Sequence, residues 1–495
     1  LQAVLEREPT CALARANLGG LLTNRGRLAA ALEHLEAALA TDPESPQVHA
    51  NLFMCLVRRG DHERGLGHAW RAQELEPEDT ALHGDLLGPL AYVEAVSPAE
   101  LAARATRWGD RVAAAAEPVA RPAWDGARDR PLRVGYLSPD LKSHSVAFFL
   151  EPILEAHDPA AVEVFCYSNT LRTDAVTERL RGHARGWRDI TRLTDGEAAA
   201  RIAADRIDLL VDLAGVTAGN RLRLLAYRPA PVQATYLGFD ATTGIAAVDF
   251  RITDPWLDPE GFEAHYRERL WRLPLGYHCY RPPEAAPPVT PPPSLDRGRI
   301  TFGSFNNLAK VGPGVVRAWA ELLHRVPGSR LLLKHAYLSE EATRAWVARR
   351  FTDCGVEPGR LELLGHVDGP EDHLALYGEV DIALDPFPYG GCTTTCEALW
   401  MGVPVVTLAA DRAMGRYGVS ILSRLGLADW IAGDRDAYLA LAAARAADLE
   451  GLAALRYELR SRVAASSLCQ AAPFTRALEA AYRAMAERLW AEGRR

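Results

Sequence analysis

Two periodicities divide the chain. Up to about residue 112 apolar positions recur at helical spacing inside a longer repeat. Pro9, Pro43 and Pro77 stand 34 residues apart, each after an acidic residue. Asn17, Leu18, Leu22 and Gly26 recur as Asn51, Leu52, Leu56 and Gly60, and Ala38 recurs as Ala72. This predicts two helices per unit, a tight turn at the glycine and a proline closing the unit. A third copy begins at Asp79 and decays, with Glu94 where the turn glycine would stand. Beyond "AAAAEPVARPAWDGARDRP" (113–131) the pattern becomes short β-rich runs separated by helical stretches. "LRVGYLS", "VEVFCYS", "IDLLVDLAG", "VQATYLGF" and "DFRITD" precede a proline-rich segment at 281–296. "RITFGSF", "RLLLKH", "RLELLG", "DIALD" and "VPVVTL" follow it. Strand–helix alternation on both sides of a break predicts two doubly wound, Rossmann-like α/β domains with parallel sheets and a cleft at their strand ends.

The expected division is therefore 1–112 helical repeats, 113–130 linker or adapter, 131–296 first α/β lobe, and 297–495 second lobe. The second lobe includes a C-terminal helix, "FTRALEAAYRAMAERLW", expected to pack back across the domains. The 34-residue period is that of the tetratricopeptide repeat, whose ordinary work is binding proteins or peptides. The chain starts at Leu1 rather than methionine, so further repeats are expected upstream.

Composition is that of a globular protein, 48% hydrophobic and 24% charged, with no apolar run long enough to span a bilayer. A net charge of −8 argues against nucleic acid as a partner. Eight scattered cysteines suit a reducing compartment, and the cytoplasm is the expected location. Cys392 and Cys396 form a lone C-x3-C with no second pair at metal-site spacing.

Of 56 basic residues only Lys142, Lys310 and Lys334 are lysine. A chain so biased to arginine points to lysine positions that need a compact ammonium. All three fall just past the C-terminal end of a predicted strand, where the cleft is expected. The richest stretch is "LDPFPYGGCTTTCEALWMGVPVV" (384–406), a glycine–threonine turn between a strand and a helix expected to begin near Cys396. Unpaired amides at a helix start, glycines that admit close approach and hydroxyl donors together suit a phosphate. An N-cap without a ligand is the alternative. Neither a P-loop lysine nor G-x-G-x-x-G is present, so neither an ATPase nor a dinucleotide enzyme is supported.

"FNNLAK", "RPAPVQATYLG", "DFRITD" and "LDPFPYGGCTTTCEALWMGVPVVTL" resemble the O-linked N-acetylglucosamine transferase family. "LRVGYLSPDLKSHSV" and "GSFNNLAK" followed by "VPGSRLLLKH" are closest to its SPINDLY branch. The resemblance implies a GT-B glycosyltransferase without metal or other cofactor. Such an enzyme places one sugar, from UDP-N-acetylglucosamine or GDP-fucose, on Ser or Thr of a protein presented by the repeats. It further implies that Lys310 holds the leaving diphosphate, that Thr393, Thr394 and the amides at the helix start share this task, and that Gly391, Cys392 and Thr395 belong to the nucleotide-sugar site. Asn307 and His373 would bind the donor, Glu397 the ribose, and His144 would face the active-site cleft.

The proton acceptor stays open among His144, an aspartate such as Asp208 or Asp212, and the donor's own phosphate. Three positions depart from the family pattern: Cys392, Val216 and Asp240. They motivate one rival reading, a repeat scaffold whose transferase body has lost catalysis. Another rival is a transferase acting on a small molecule or glycan.

Overall fold

Seven helices precede the first strand in the computed structural model, which describes residues 1–127 and 129–493. They are α1 Gln2–Arg7, α2 Ala12–Asn24, α3 Leu28–Thr41, α4 Pro46–Arg59, α5 His62–Leu75, α6 Thr80–Leu90 and α7 Pro98–Ala114. The α2–α3 and α4–α5 hairpins turn at Gly26 and Gly60, with φ of +74° and +85°, where a side chain would be strained. Leu28, Leu35, Leu52 and Leu56 interlock between them with no exposed surface.

The first α/β lobe carries β1 Leu132–Ser138, β2 Val162–Ser168, β3 Gly186–Asp189, β4 Leu209–Asp212, β5 Val232–Thr235, β6 Phe250–Thr253 and β7 Arg269–Arg272. All pair in parallel, in the order β3-β2-β1-β4-β5-β6-β7. The second lobe carries β8 Thr301–Ser304, β9 Arg330–Lys334, β10 Leu361–Leu364, β11 Ile382–Leu384, β12 Val405–Leu408 and β13 Ile431–Ala432. Their order is β10-β9-β8-β11-β12-β13, again parallel. In both sheets the winding direction reverses beside the first strand, at β1/β4 and at β8/β11. Loops diverge there and leave a crevice beyond the strand ends.

Three strands, β3, β7 and β13, are not evident as apolar runs. Each lies at a sheet edge, and β7 ("RLWR") is exposed at Arg269 and only half-buried beyond it. The helix after the glycine turn begins at Thr393 rather than Cys396, so the three threonines form its first turn. The stretch 113–130 is not a free tether. Trp124 is buried, and its Nε1 donates to Asp208 Oδ1 at 2.9 Å. The C-terminal helix, Ala471–Ala491, lies in sequence beyond the second lobe but packs on the first. Its stripe of Phe474, Leu478, Tyr482, Met485 and Leu489 is buried there. Tyr482 meets Tyr136 (3.1 Å between hydroxyls), and Glu479 Oε1 lies 2.8 Å from His157 Nδ1.

The repeats are seated on the lobes through their turns. Glu340 of the second lobe accepts from the Ala29 amide at 2.9 Å and so caps α3 from outside the repeat. The Arg59 guanidinium lies 4.1 Å over the Trp346 ring. On α7, Gly109 abuts Gly244 of the first lobe so closely that a Cβ would stand 2.0 Å from its carbonyl oxygen.

Candidate active site

At the β8/β11 crevice two loops meet. The loop after β8 turns through Leu308–Lys310, where Asn307 Oδ1 accepts from the Ala309 amide at 3.0 Å. From this turn Lys310 reaches across, and its Nζ donates to the Gly390 carbonyl at 2.6 Å. The Tyr389 ring lies beneath the ammonium, 4.6 Å from Nζ. Burial lowers the Lys310 pKa to about 8, against the opposing pull of Asp385 and Cys392. The amine thus sits with few partners and favours an arriving anion.

The loop after β11 is shaped by Asp385. Its carboxylate accepts from the Gly391 amide (2.5 Å) and Thr407 Oγ1 (2.7 Å), and burial raises its pKa to about 6. Thr394 Oγ1 donates to Asn306 Oδ1 (3.0 Å), and Thr395 Oγ1 to the Gly391 carbonyl (3.0 Å). A Cβ on Gly391 would stand 2.5 Å from Thr394 Oγ1 and 2.8 Å from Asn306 Oδ1, so only glycine fits. Thr393 opens the helix, and the amides of this first turn have no partners of their own within it. Lys310 is thus tied, through the Gly390 carbonyl, to the loop that leads into this helix start.

Beside them runs a chain of polar contacts. Lys334 Nζ lies 3.0 Å from His373 Nδ1, and His373 Nε2 lies 3.1 Å from Glu397 Oε2. Tyr377 donates to the same carboxylate oxygen at 3.2 Å. His373 therefore takes the ammonium's hydrogen on one nitrogen and donates from the other, which orients Glu397 at the mouth. Phe305 packs on Tyr377 with ring centroids 4.5 Å apart and supplies an apolar wall. Sequence reasoning placed Asn307, His373 and Glu397 here but missed Asn306, Asp385, Tyr377 and Tyr389. Lys334 stands out in the sequence by the scarcity of lysine and by its place at a strand end, without a role attached.

Across the cleft, His144 follows β1 at the corresponding crevice of the first lobe. Its Nδ1 accepts from the Val146 amide at 3.3 Å and lies 3.8 Å from Asp140 Oδ2, with the ring exposed. Among the described residues it makes no contact with the Lys310 cluster. The two aspartates considered as bases are accounted for otherwise. Asp208 precedes β4, at the end of the sheet away from the cleft, and binds Arg130 (2.7 Å), Trp124 and the Arg133 amide. Asp212 is fully buried and accepts from the Gly215 amide (2.8 Å), fixing the turn after β4.

The three departures lie around the site. Cys392 Sγ stands 3.0 Å from His278 Nε2; burial pushes the thiol pKa up and the imidazole down, so both are neutral. Asp240 is buried, bound by Arg251 (2.9 Å) and Tyr277 (2.6 Å) of its own lobe and by Tyr417 of the other. Val216 lines the wall of a cleft of about 870 Å³ between the repeats and both lobes. That cleft runs from Asn51 and Tyr92 to Asn307 and Tyr389, at the edge of the lysine turn.

Two Rossmann-like lobes, with a buried lysine and an open helix start at the second switch point and tetratricopeptide repeats before them, define a GT-B architecture carrying a helical arm. The sequence pattern described as glycosyl transferase family 41 matches residues 107–280 and 293–478, and a tetratricopeptide repeat pattern matches 1–50 and 22–84. The chain belongs to glycosyl transferase family 41. A structure of Thermobaculum terrenum O-GlcNAc transferase, a lysine-to-methionine mutant, superposes with a TM-score of 0.93 at 40% identity. It covers 99% of this chain and 93% of that one. The Oryza sativa subsp. japonica protein named probable UDP-N-acetylglucosamine–peptide N-acetylglucosaminyltransferase SPINDLY is 43% identical over 368 residues. An Arabidopsis thaliana protein named for the same activity, SEC, is 30% identical over 365 residues. The rice match covers 73% of this chain but 40% of the relative, so the chain spans well under half the length of the curated relatives it matches.

Proposed function

We propose that this chain is an inverting protein O-glycosyltransferase. It moves one sugar from a nucleoside diphosphate donor, UDP-N-acetylglucosamine or GDP-fucose, to a Ser or Thr hydroxyl. The observation that carries the reading is the Lys310 ammonium 2.6 Å from the Gly390 carbonyl, in the loop that leads into the open amides of the Thr393 helix. The acceptor oxygen attacks the anomeric carbon from the face opposite the diphosphate. As the new C–O bond forms, the bond to the β-phosphate oxygen breaks and that oxygen keeps the electron pair. Lys310, Gly391 and the helix amides stabilise its growing charge, the task preorganised donors do best. This assignment asks for no metal or other cofactor.

Glu397, oriented by His373 and Lys334, accepts from the ribose hydroxyls, and Phe305 walls the base. Two groups are left to take the hydroxyl proton, His144 and the departing phosphate. A His144→Asn variant with normal turnover assigns it to the phosphate. The acceptor polypeptide lies in the cleft beneath the repeats, which ends at the lysine turn. All eight cysteines are free, as suits a cytoplasmic enzyme, and no described helix is long and apolar enough to cross a membrane.

Thermal-shift comparison of UDP with GDP at millimolar concentration tests the reading and selects the donor base. A rise with one nucleotide, followed by sugar on Ser or Thr detected by mass spectrometry, supports it. No rise with either would favour the scaffold reading.

A further inference from the structure

The lysine turn is gripped from outside the catalytic lobes. His62, the first residue of α5 in the helical repeat, donates from Nε2 to the Ala309 carbonyl at 2.8 Å. The ring is almost wholly buried, and the loop wraps it: a Cβ on Gly312 would stand 2.6 Å from His62 Nδ1. Gly60, in the turn just before, is so close that a Cβ there would meet the Val311 carbonyl at 2.7 Å. Arg350 donates to that same carbonyl at 2.9 Å. The opposing loop is held by the repeats as well: Tyr92 stacks on Tyr389, ring centroids 4.7 Å apart and 14° between planes.

We propose that His62 is a positioning residue for Lys310. By tying down the carbonyl next to the lysine, it makes the repeat arm a structural part of the anion site rather than an acceptor-recruiting device alone. The physical reason is local. The turn 308–310 is one 3-10 turn with few internal bonds, and its Ala309 carbonyl is taken by the repeats instead of by a strand. Without a donor there, the Ala309 carbonyl is buried and unpaired, and relieving that cost rotates the peptide that carries Lys310. Burial keeps His62 neutral, with its pKa near 4, so it stays a plain N–H donor at any working pH.

The inference rests on the transferase reading only for its consequence for turnover; its geometric half is tested without activity. The chain has three lysines, so ¹³Cε-lysine labelling gives three NMR signals to titrate in the full chain. Groups facing Lys310 are Asp385, Cys392, Tyr389 and, at longer range, His335. His62→Leu fills the space without the donor, whereas His62→Gln returns an N–H near Nε2. The Leu variant is expected to move the Lys310 midpoint from about 8 toward the ordinary lysine value while Lys142 stays put, and the Gln variant to restore it. In turnover, the Leu variant should lose at least tenfold in kcat with KM for the donor nearly unchanged. Donor hydrolysis without any acceptor should fall in parallel. An unmoved Lys310 titration in His62→Leu overturns the proposal. So does a loss confined to transfer onto long acceptors, because His62 would then act through acceptor binding. A Gln variant as impaired as Leu would show that packing, not the hydrogen bond, matters. Absence of any nucleotide-induced thermal shift in the parent chain would instead count against the transferase reading.

Discussion

At the scale of single residues, Lys310 governs the chemistry expected of the site. In the proposed reaction its charge matters most when the diphosphate departs. Lys310→Ala should therefore cut turnover by about 100-fold or more while changing nucleotide affinity several-fold at most. Single-turnover kinetics beside nucleotide titrations check this, and equal losses in both would contradict the role. Lys310→Arg should also impair, because a planar fork cannot replace a point charge 2.6 Å from a carbonyl.

The pH dependence follows from two burial-shifted groups. Lys310 loses its proton as pH rises through about 8, and Asp385 gains one as pH falls through about 6, weakening its hold on the Gly391 amide. The expected kcat/KM profile is a bell with limbs near those values, and Asp385→Asn should flatten the acid limb. Stability runs the other way for the lysine. Its folded pKa lies below the unfolded one, so it weighs against folding below pH 8, and that penalty fades as pH rises toward the ordinary lysine range. Lys310→Met should accordingly melt higher than the parent at pH 7, visible by calorimetry, while losing turnover.

At the scale of elements, the lysine turn keeps its shape because two loops from adjacent strands interlock, not because either is rigid alone. Gly391→Ala would drive a methyl into Thr394 Oγ1 and Asn306 Oδ1 and part the loops. Nucleotide affinity should fall at least tenfold in calorimetric titration, with a smaller drop in melting temperature. Legibility in the sequence followed the same line. Central strands such as "LRVGYLS" and "RLLLK" stand out because both faces are buried. "RLWR" and "GWRD" do not, since an edge strand needs no continuous apolar run. The glycine–threonine turn and Lys310 were readable as local chemistry. Asn306, Asp385 and Lys334 acquire their partners through pairing of β8, β9 and β11, and His62 through docking of another domain. A linear pattern carries no sign of either. His278 beside Cys392 belongs to the same class.

At the scale of the molecule, the repeats and the two lobes share surfaces that a modular view would separate. Removing residues 1–112 takes away His62, Tyr92 and the α3 end that Glu340 caps. The truncated chain should lose turnover even on short soluble peptides, measured by sugar incorporation. Retained turnover would favour a small acceptor that never needed the arm. Glu340→Ala should leave the lobes folded but lower overall stability by about 1 kcal/mol, the usual worth of a helix cap, as read from urea melts.

The homeward path of the C-terminal helix has a mechanical consequence. The backbone passes from the first lobe to the second near Tyr280 and returns near Leu468, and the Tyr280 amide donates to the Leu468 carbonyl at 2.7 Å. The two crossings thus sit side by side like the pins of one hinge, while the repeats hold both lobes at a distance from them. Any opening to release a spent nucleotide would have to swing about that seam and loosen the grip of the repeats on one lobe.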